Sequence, residues 1–165
     1  MDLLLENISH EDLKKYLKEF YNYAKKELQL DKPPRLLLKQ DQENADYMFG
    51  KTGHYSPESY EICLYVTDRH AKDIIRSFAH ELVHHMQNLQ GKNDDIDLGD
   101  TRDPAYASKN PQLRELEREA FERGNMIFRD WCDIHKVKGK KIMNEMKKEK
   151  VVHAHKKAED LISKG

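Results

Sequence analysis

Apolar side chains recur at helical spacing in three segments of the chain, which run from about Ser9 to Leu28, from Ala71 to Gln90 and from Pro111 to Asp133. Apolar residues three and four positions apart lie on one side of an α-helix, so each segment predicts an amphipathic helix. In the first segment the apolar positions are Leu13, Tyr16, Leu17, Phe20, Ala24 and Leu28.

Two shorter segments have the composition and alternation of β-strands. They run from Arg35 to Lys39 and from Tyr60 to Val66, and in the second Ile62, Leu64 and Val66 alternate with Glu61, Cys63 and Tyr65. Between them, residues 47–57 combine aromatic residues with glycines and a proline, which predicts a strand and a turn. Helices combined with a few strands predict an α+β domain.

The second predicted helix contains the sequence His-Glu-Leu-Val-His at residues 80–84. Histidines four positions apart lie one above the other on a helix, so His80 and His84 can bind one metal ion, and Glu81 beside them can take a proton from a metal-activated water. A helical wheel places both histidines opposite the apolar side, as in the floor of a cleft, although two exposed histidines would fit the wheel equally well. The apolar side comprises Ile74, Ile75, Phe78, Leu82, Met86 and Leu89.

A third metal ligand is expected on the third helix, where Glu117 lies in the middle of the apolar side. A carboxylate there is costly unless it is paired, protonated or bound to a metal, and two histidines with one glutamate form a known catalytic zinc set. Two alternatives are a Glu117 paired with an arginine or lysine, and a shifted helical register that makes Glu119 the ligand. Ala120 and Gly124 are small enough to let this helix approach the histidine helix closely. The apolar side comprises Leu113, Leu116, Ala120, Gly124, Ile127, Phe128 and Trp131.

Length, charge and composition limit the classes of protein to which this chain can belong. A length of 165 residues suits one domain, and a formal net charge of -1 disfavours a nucleic-acid binder. No apolar run approaches the roughly 20 residues needed to span a bilayer, and the N-terminus lacks a signal-peptide pattern. Cys63 and Cys132 are each alone in their segments, so we expect no thiolate zinc site, no disulfide framework and a cytoplasmic location. We predict a domain over residues 1–135 and a lysine-rich helical extension over residues 136–165.

With these residues identified, the chain resembles the gluzincin metallopeptidases, in particular small phage-encoded proteins of that type. One matching segment covers residues 53–87, with Gly-His-Tyr-Ser-Pro, the second strand and the His-Glu-Leu-Val-His helix. The other, Glu117-Arg118-Glu119-Ala120, is similar to the Glu-x-x-Ala signature of the family, whose first glutamate binds zinc. The resemblance implies a minimal zincin-like domain, with a small, mainly antiparallel sheet packed on an active-site helix and a second helix that carries the Glu117 ligand.

The resemblance also implies an activity, namely zinc-dependent hydrolysis of peptide bonds with Glu81 as the general base. A peptide or protein substrate would lie along an edge strand, for which the segment from Tyr60 to Val66 is the candidate. If the chain is phage-encoded, the location is the cytoplasm of a bacterial host. For stabilisation of the oxyanion we single out Tyr106, before the third helix, ahead of Arg129 and His135; the alternative is that Tyr106 is an ordinary surface aromatic.

One position departs from the family pattern. Gluzincins usually carry Asp or Asn four residues after the ligand glutamate, where it orients a zinc-binding histidine by a hydrogen bond, and here that residue is Phe121. Either another residue supplies the bond, or the metal affinity is weaker. The alternative functions are a zinc-binding but inactive interaction or regulatory protein, and a helical interaction domain in which the motif is accidental.

Overall fold

The computed structural model describes residues 2–5, 11–48, 50–94 and 110–134, with the backbone alone for residues 2–5. Helices pack on a small sheet, so the predicted α+β class is confirmed. Within these ranges, none of the helices combines the length and apolar character needed to cross a membrane. The predicted extension over residues 136–165 lies outside them. The elements are β1 Asp2–Leu5, α1 Glu11–Glu27, β2 Arg35–Lys39, α2 Gln42–Asp46, β3 Gly53–Ser56, β4 Glu61–Tyr65, α3 Ala71–Leu89 and α4 Pro111–Ile134.

The three long helices α1, α3 and α4 match the predicted segments to within a few residues at each end. The short helix α2 was not predicted, because its five residues lack apolar periodicity. The Asp41 side chain caps α2 by accepting a hydrogen bond of 2.9 Å from the backbone nitrogen of Asn44.

The sheet has the strand order β1-β2-β4-β3. Strand β2 pairs in parallel with both β1 and β4, and β3 pairs antiparallel with β4. The expectation of a mainly antiparallel sheet is therefore wrong. The reason lies in the connections, because α1 crosses over between β1 and β2, and a crossover of this kind joins parallel strands.

The predicted strand from Tyr60 to Val66 forms as β4, but it is not an edge. It lies between β2 and β3, so that Leu64 pairs with Leu38 on one side and with Gly53 on the other. The burial of β4 follows the alternating pattern in part, because Ile62 and Leu64 are fully buried whereas Glu61 and Tyr65 are partly exposed. Cys63, in the middle of the strand, is only 2% exposed. The predicted edge position of this segment is therefore wrong, and β3 is the edge strand on this side of the sheet.

The core lies between the sheet and the long helices. Helix α3 packs on β3 and β4, and both α1 and α4 pack on α3. An aromatic cluster joins the three helices, since the ring centroid of Phe20 lies 6.1 Å from that of Phe78 and 5.4 Å from that of Trp131. Burial of these large rings holds α3, and with it the histidine motif, in place.

Arg69 attaches the beginning of α3 to the edge of the sheet. Its guanidinium donates to the carbonyl oxygens of Thr52 (3.1 Å), Tyr65 (3.0 Å) and Asp73 (3.0 Å), and to the hydroxyl of Ser77 (2.7 Å). Burial lowers the pKa of this arginine, although nearby Asp73 acts in the opposite direction. These bonds determine where β3 lies above α3.

The helices α3 and α4 approach closely where α4 carries Gly124. A Cβ atom at this position would lie 3.0 Å from the backbone nitrogen of His80 and 3.2 Å from the carbonyl carbon of Ala79. The predicted close approach through small residues is confirmed, and it brings α4 beside the histidine motif.

Candidate metal centre

His80 and His84 lie one turn apart on α3, and both are partly buried. Their ring centroids are 4.9 Å apart and their Nε2 atoms are 3.2 Å apart. The side chains therefore converge as the four-residue spacing predicts.

Glu117 of α4 completes a cluster with the two histidines. Its Oε2 lies 3.0 Å from Nε2 of His80, and its Oε1 lies 3.1 Å from Nε2 of His84. The carboxylate is 27% exposed, so it lies at the border of the apolar side rather than deep within it. The runner-up Glu119 turns elsewhere, because its carboxylate accepts hydrogen bonds from Gln87 and Lys92.

The donor atoms of the cluster are of the kinds that zinc binds, and they lie close together. Each of the three side chains offers one ligand atom, and these atoms lie within 4.8 Å of one another. Ligand bonds of about 2.0–2.1 Å at tetrahedral angles separate ligand atoms by about 3.3 Å. The two Nε2 atoms are 3.2 Å apart, and each lies 3.0 or 3.1 Å from a different oxygen of Glu117. Two imidazoles and one carboxylate leave a fourth tetrahedral position for water or substrate, so the residues fit a catalytic zinc ion.

Without a metal, the cluster holds a proton on His84. Burial lowers the pKa of His84, but the hydrogen bond with Glu117, the negative charges of Glu81 and Glu117 and the hydrogen bond with Gln87 together raise it to about 9. At neutral pH the metal-free site therefore contains an imidazolium beside a carboxylate, and a metal ion has to displace that proton.

Glu81 lies between the two histidines in sequence and beside them in the site. Its side chain is 7% exposed and lines a groove, between β3 and α4, that His80 and His84 also line. Burial raises the pKa of Glu81, whereas the nearby His84 and His80 lower it. Gly53 of β3 lies beside this side chain, since a Cβ at position 53 would be in ordinary van der Waals contact with Cγ of Glu81, at 3.5 Å. An acid with a raised pKa, next to a potential metal site, has the properties of a general base.

The cluster opens into a groove with a volume of about 640 Å³ between β3 and α4. Phe121 lies at this groove and is 64% exposed, so the residue at the family's histidine-orienting position faces the space available to a substrate. The groove is lined by Thr52, Gly53, His54, Tyr55, Pro57, Arg76, Ser77, His80, Glu81, His84, Asn93, Leu113, Leu116, Glu117, Phe121 and Asn125.

Sequence reasoning did not identify Gln87, which contacts the cluster directly. Its Oε1 lies 2.9 Å from Nδ1 of His84. The available signal was its position three residues after His84, because residues three apart are neighbours on a helix. Gln87 therefore makes a bond to a motif histidine, which the side chain of Phe121 cannot make.

His85, which follows the motif, is a packed histidine: Tyr55 donates to its Nδ1 (2.6 Å), and its Nε2 donates to the carbonyl oxygen of Lys32 (2.7 Å). Arg129 bonds to the neighbouring Asp130 and is not among the residues that line the groove, so it is not in position to stabilise an oxyanion. Tyr106 and His135 lie outside the described residues.

Comparisons of this chain with models of protein families, with curated protein sequences and with solved structures gave no match. The resemblance to gluzincins therefore rests on the motif residues and on the geometry described above.

Proposed function

We propose that this protein is a zinc-dependent peptide hydrolase of the gluzincin type. One observation carries the proposal. The ligand atoms of His80, His84 and Glu117 come from two different helices and lie within 4.8 Å of one another, beside the buried carboxylate of Glu81. If the motif were accidental, we would not expect a carboxylate from a second helix to lie against both of its histidines.

When bound, zinc would supply a Lewis acid that polarises the scissile carbonyl and lowers the pKa of water. The side chains that would hold it are those of His80, His84 and Glu117. Glu81 acts as the general base: it accepts a proton from the attacking water and later delivers that proton to the leaving amine. The raised pKa of Glu81, caused by burial, brings it closer to the neutral range in which a base works best.

The substrate we propose is an extended peptide segment, placed along β3 instead of β4. Strand β3 is the edge of the sheet and contributes Gly53, His54 and Tyr55 to the wall of the groove. A peptide in this groove can pair with the main chain of β3 as an additional strand, which positions its carbonyl carbon over the ligand cluster. For stabilisation of the oxyanion, Tyr106 is the candidate from the sequence.

The proposal includes a cytoplasmic location, in a bacterial host if the chain is phage-encoded. The sequence has two cysteines, Cys63 and Cys132, each alone in its segment, which fits a reducing compartment.

The first part of the test is metal content. The purified protein is stripped with chelator, titrated with Zn²⁺ against a competing dye, and compared with the variants His84→Ala and Glu117→Gln. We expect one zinc ion per chain in the parent and a loss of tight binding in both variants. Glu122→Gln, on the same helix at an exposed position where the side chain pairs with Arg118, is the matched control and should bind zinc like the parent.

The second part is hydrolysis, measured by mass spectrometry on a library of peptides from a digested proteome. We expect cleavage by the zinc-loaded parent, inhibition by chelator, and zinc binding without cleavage in Glu81→Gln. A parent that binds zinc but cleaves nothing would support the alternative of an inactive interaction or regulatory protein. A parent without stoichiometric zinc would overturn the proposal.

A further inference from the structure

Gln87 is fully buried, with 0% exposure, on the side of α3 that faces α4. Its amide makes three hydrogen bonds, each 2.9 Å long. Oε1 bonds with Nδ1 of His84, and Nε2 donates both to the carbonyl oxygen of Leu116 and to Oε1 of Glu119. The partners of all three bonds lie in the turns of α3 and α4 that carry His84 and Glu117.

These partners determine which way the amide points. The carbonyl oxygen of Leu116 and the carboxylate of Glu119 only accept hydrogen bonds, so the NH₂ group of Gln87 has to face them. The oxygen of Gln87 then faces His84, and an oxygen only accepts. Nδ1 of His84 therefore carries a hydrogen and donates it to Gln87.

The hydrogen on Nδ1 has a consequence for the other ring nitrogen. With Nδ1 protonated, Nε2 is the nitrogen of His84 that can offer a lone pair to a metal, and it is the nitrogen that lies 3.1 Å from Glu117. A hydrogen bond of this kind fixes the orientation of a metal-binding imidazole and increases its basicity.

We infer that Gln87 is a positioning residue for the metal centre: it holds His84 in the tautomer and orientation that present Nε2 to the cation. This inference rests on the proposed zinc site. In gluzincins a side chain four residues after the ligand glutamate orients a zinc-binding histidine. Here Gln87, on the same helix as the histidines, has this role. Phe121, at that family position, is thereby free to face the groove.

The same amide also links the two ligand-bearing turns. Leu116 and Glu119 flank Glu117 on α4, and His84 lies three residues before Gln87 on α3. The hydrogen bonds of Gln87 therefore restrain the Glu117 ligand relative to the His84 ligand. Lys92 donates to the same Glu119 oxygen (3.3 Å), which extends the network to the end of α3.

The test compares Gln87→Leu with Gln87→Glu and with a control at the next residue. Asn88 is a suitable control because its side-chain amide also makes two hydrogen bonds, to Tyr55 (2.9 Å) and to the carbonyl oxygen of Pro57 (3.0 Å), but none of them is with a ligand residue. We expect Gln87→Leu to bind zinc roughly 10- to 100-fold more weakly than the parent, as is usual when an outer partner of a metal ligand is removed. Gln87→Glu keeps an acceptor for His84 but loses the donor to Leu116 and Glu119, so it should recover only part of the affinity. Asn88→Leu should bind zinc as the parent does.

A second measurement does not depend on activity or on the stability of a variant. In ¹⁵N NMR spectra of the zinc-loaded parent, His84 should show a hydrogen on Nδ1 that exchanges slowly with water, and this signal should disappear in Gln87→Leu. A parent in which Nδ1 is the metal-bound nitrogen overturns the inference even if Gln87→Leu does not fold. Equal losses of affinity in Gln87→Leu and Asn88→Leu would also overturn it, because they would indicate a general effect of lost packing. A parent that binds no zinc would refute the proposed function together with this inference. A parent that binds zinc, with the same affinity in Gln87→Leu, would refute this inference alone.

Discussion

Gly124 of α4 lies directly against the backbone of His80 in α3, since a Cβ at position 124 would come within 3.0 Å of the His80 nitrogen and 3.1 Å of its Cα. Both neighbours are main-chain atoms of a packed helix, which cannot move aside as a flexible side chain can. The spacing of the two helices at this point determines whether Glu117 reaches the histidines. A ligand cluster needs its side chains to be placed to within about 0.5 Å.

We therefore predict that Gly124→Ala weakens zinc binding by roughly tenfold, because the added methyl group displaces α4 by a distance comparable with the tolerance of the site. The effect on stability should be smaller, since the higher helix propensity of alanine, about 1 kcal/mol, offsets part of the overpacking. Zinc competition titration and urea unfolding would measure the two effects. Met126→Ala, at an exposed position of the same helix, is the control, and an unchanged affinity in Gly124→Ala would show that the helix spacing is not critical.

The proton on His84 predicts a pH dependence for the metal-free protein. The folded-state pKa of His84 is about 9, above its ordinary value of 6.5, so the folded state binds the proton more tightly than the unfolded chain does. The stabilisation is fully present below about pH 6.5 and is lost as the pH rises through about 9. The urea midpoint of chelator-treated protein should thus fall between pH 6.5 and pH 9, and it should fall less in His84→Gln. Identical pH profiles for the two proteins would contradict this prediction.

Burial of Glu81, the proposed general base, predicts that this side chain reduces the stability of the fold. Because burial raises the pKa of this carboxyl group, its charged form is disfavoured in the folded state, and the resulting loss of stability grows as the pH rises above its ordinary value of 4.5. Glu81→Gln removes that charge and should leave the metal-free protein at least as resistant to urea at pH 7 as the parent. Glu58→Gln, at an exposed position, should change little. A clear decrease in the urea midpoint for Glu81→Gln would mean that attraction by His80 and His84 outweighs the cost of burial.

Phe121 predicts a separation between metal binding and substrate binding. It lines the groove but makes no hydrogen bond with a histidine, so Phe121→Ala should leave zinc affinity unchanged. Loss of an apolar contact worth about 1.4 kcal/mol would raise the KM for peptides by about tenfold. Glu122→Ala, whose side chain pairs with Arg118 away from the groove, is the control. If zinc affinity decreased in Phe121→Ala while the KM stayed constant, Phe121 would act on the metal site instead.

Periodicity was sufficient to predict the long helices, two of the strands and the side of α3 that carries His80 and His84. These features depend on contacts between residues a few positions apart, and burial of the apolar side enforces them whatever the topology. The same local reasoning selected Glu117 over Glu119, because the two residues point in different directions on α4 and the structure brings only Glu117 to the histidines.

Other properties were decided only when distant segments packed together. The strand pattern of β4 does not state how many neighbours the strand has, and the structure places it inside the sheet and leaves β3 at the edge. The hydrogen bond from Gln87 to Leu116 depends on the spacing between α3 and α4. Gly124 sets that spacing through contacts with residues more than 30 positions away in the chain. The chain by itself therefore determined which side chains could bind a metal, since that follows from local helical geometry. Tertiary packing decided which of them meet, which residue orients them and where a substrate has access, because each of these depends on distances between elements that no local pattern specifies.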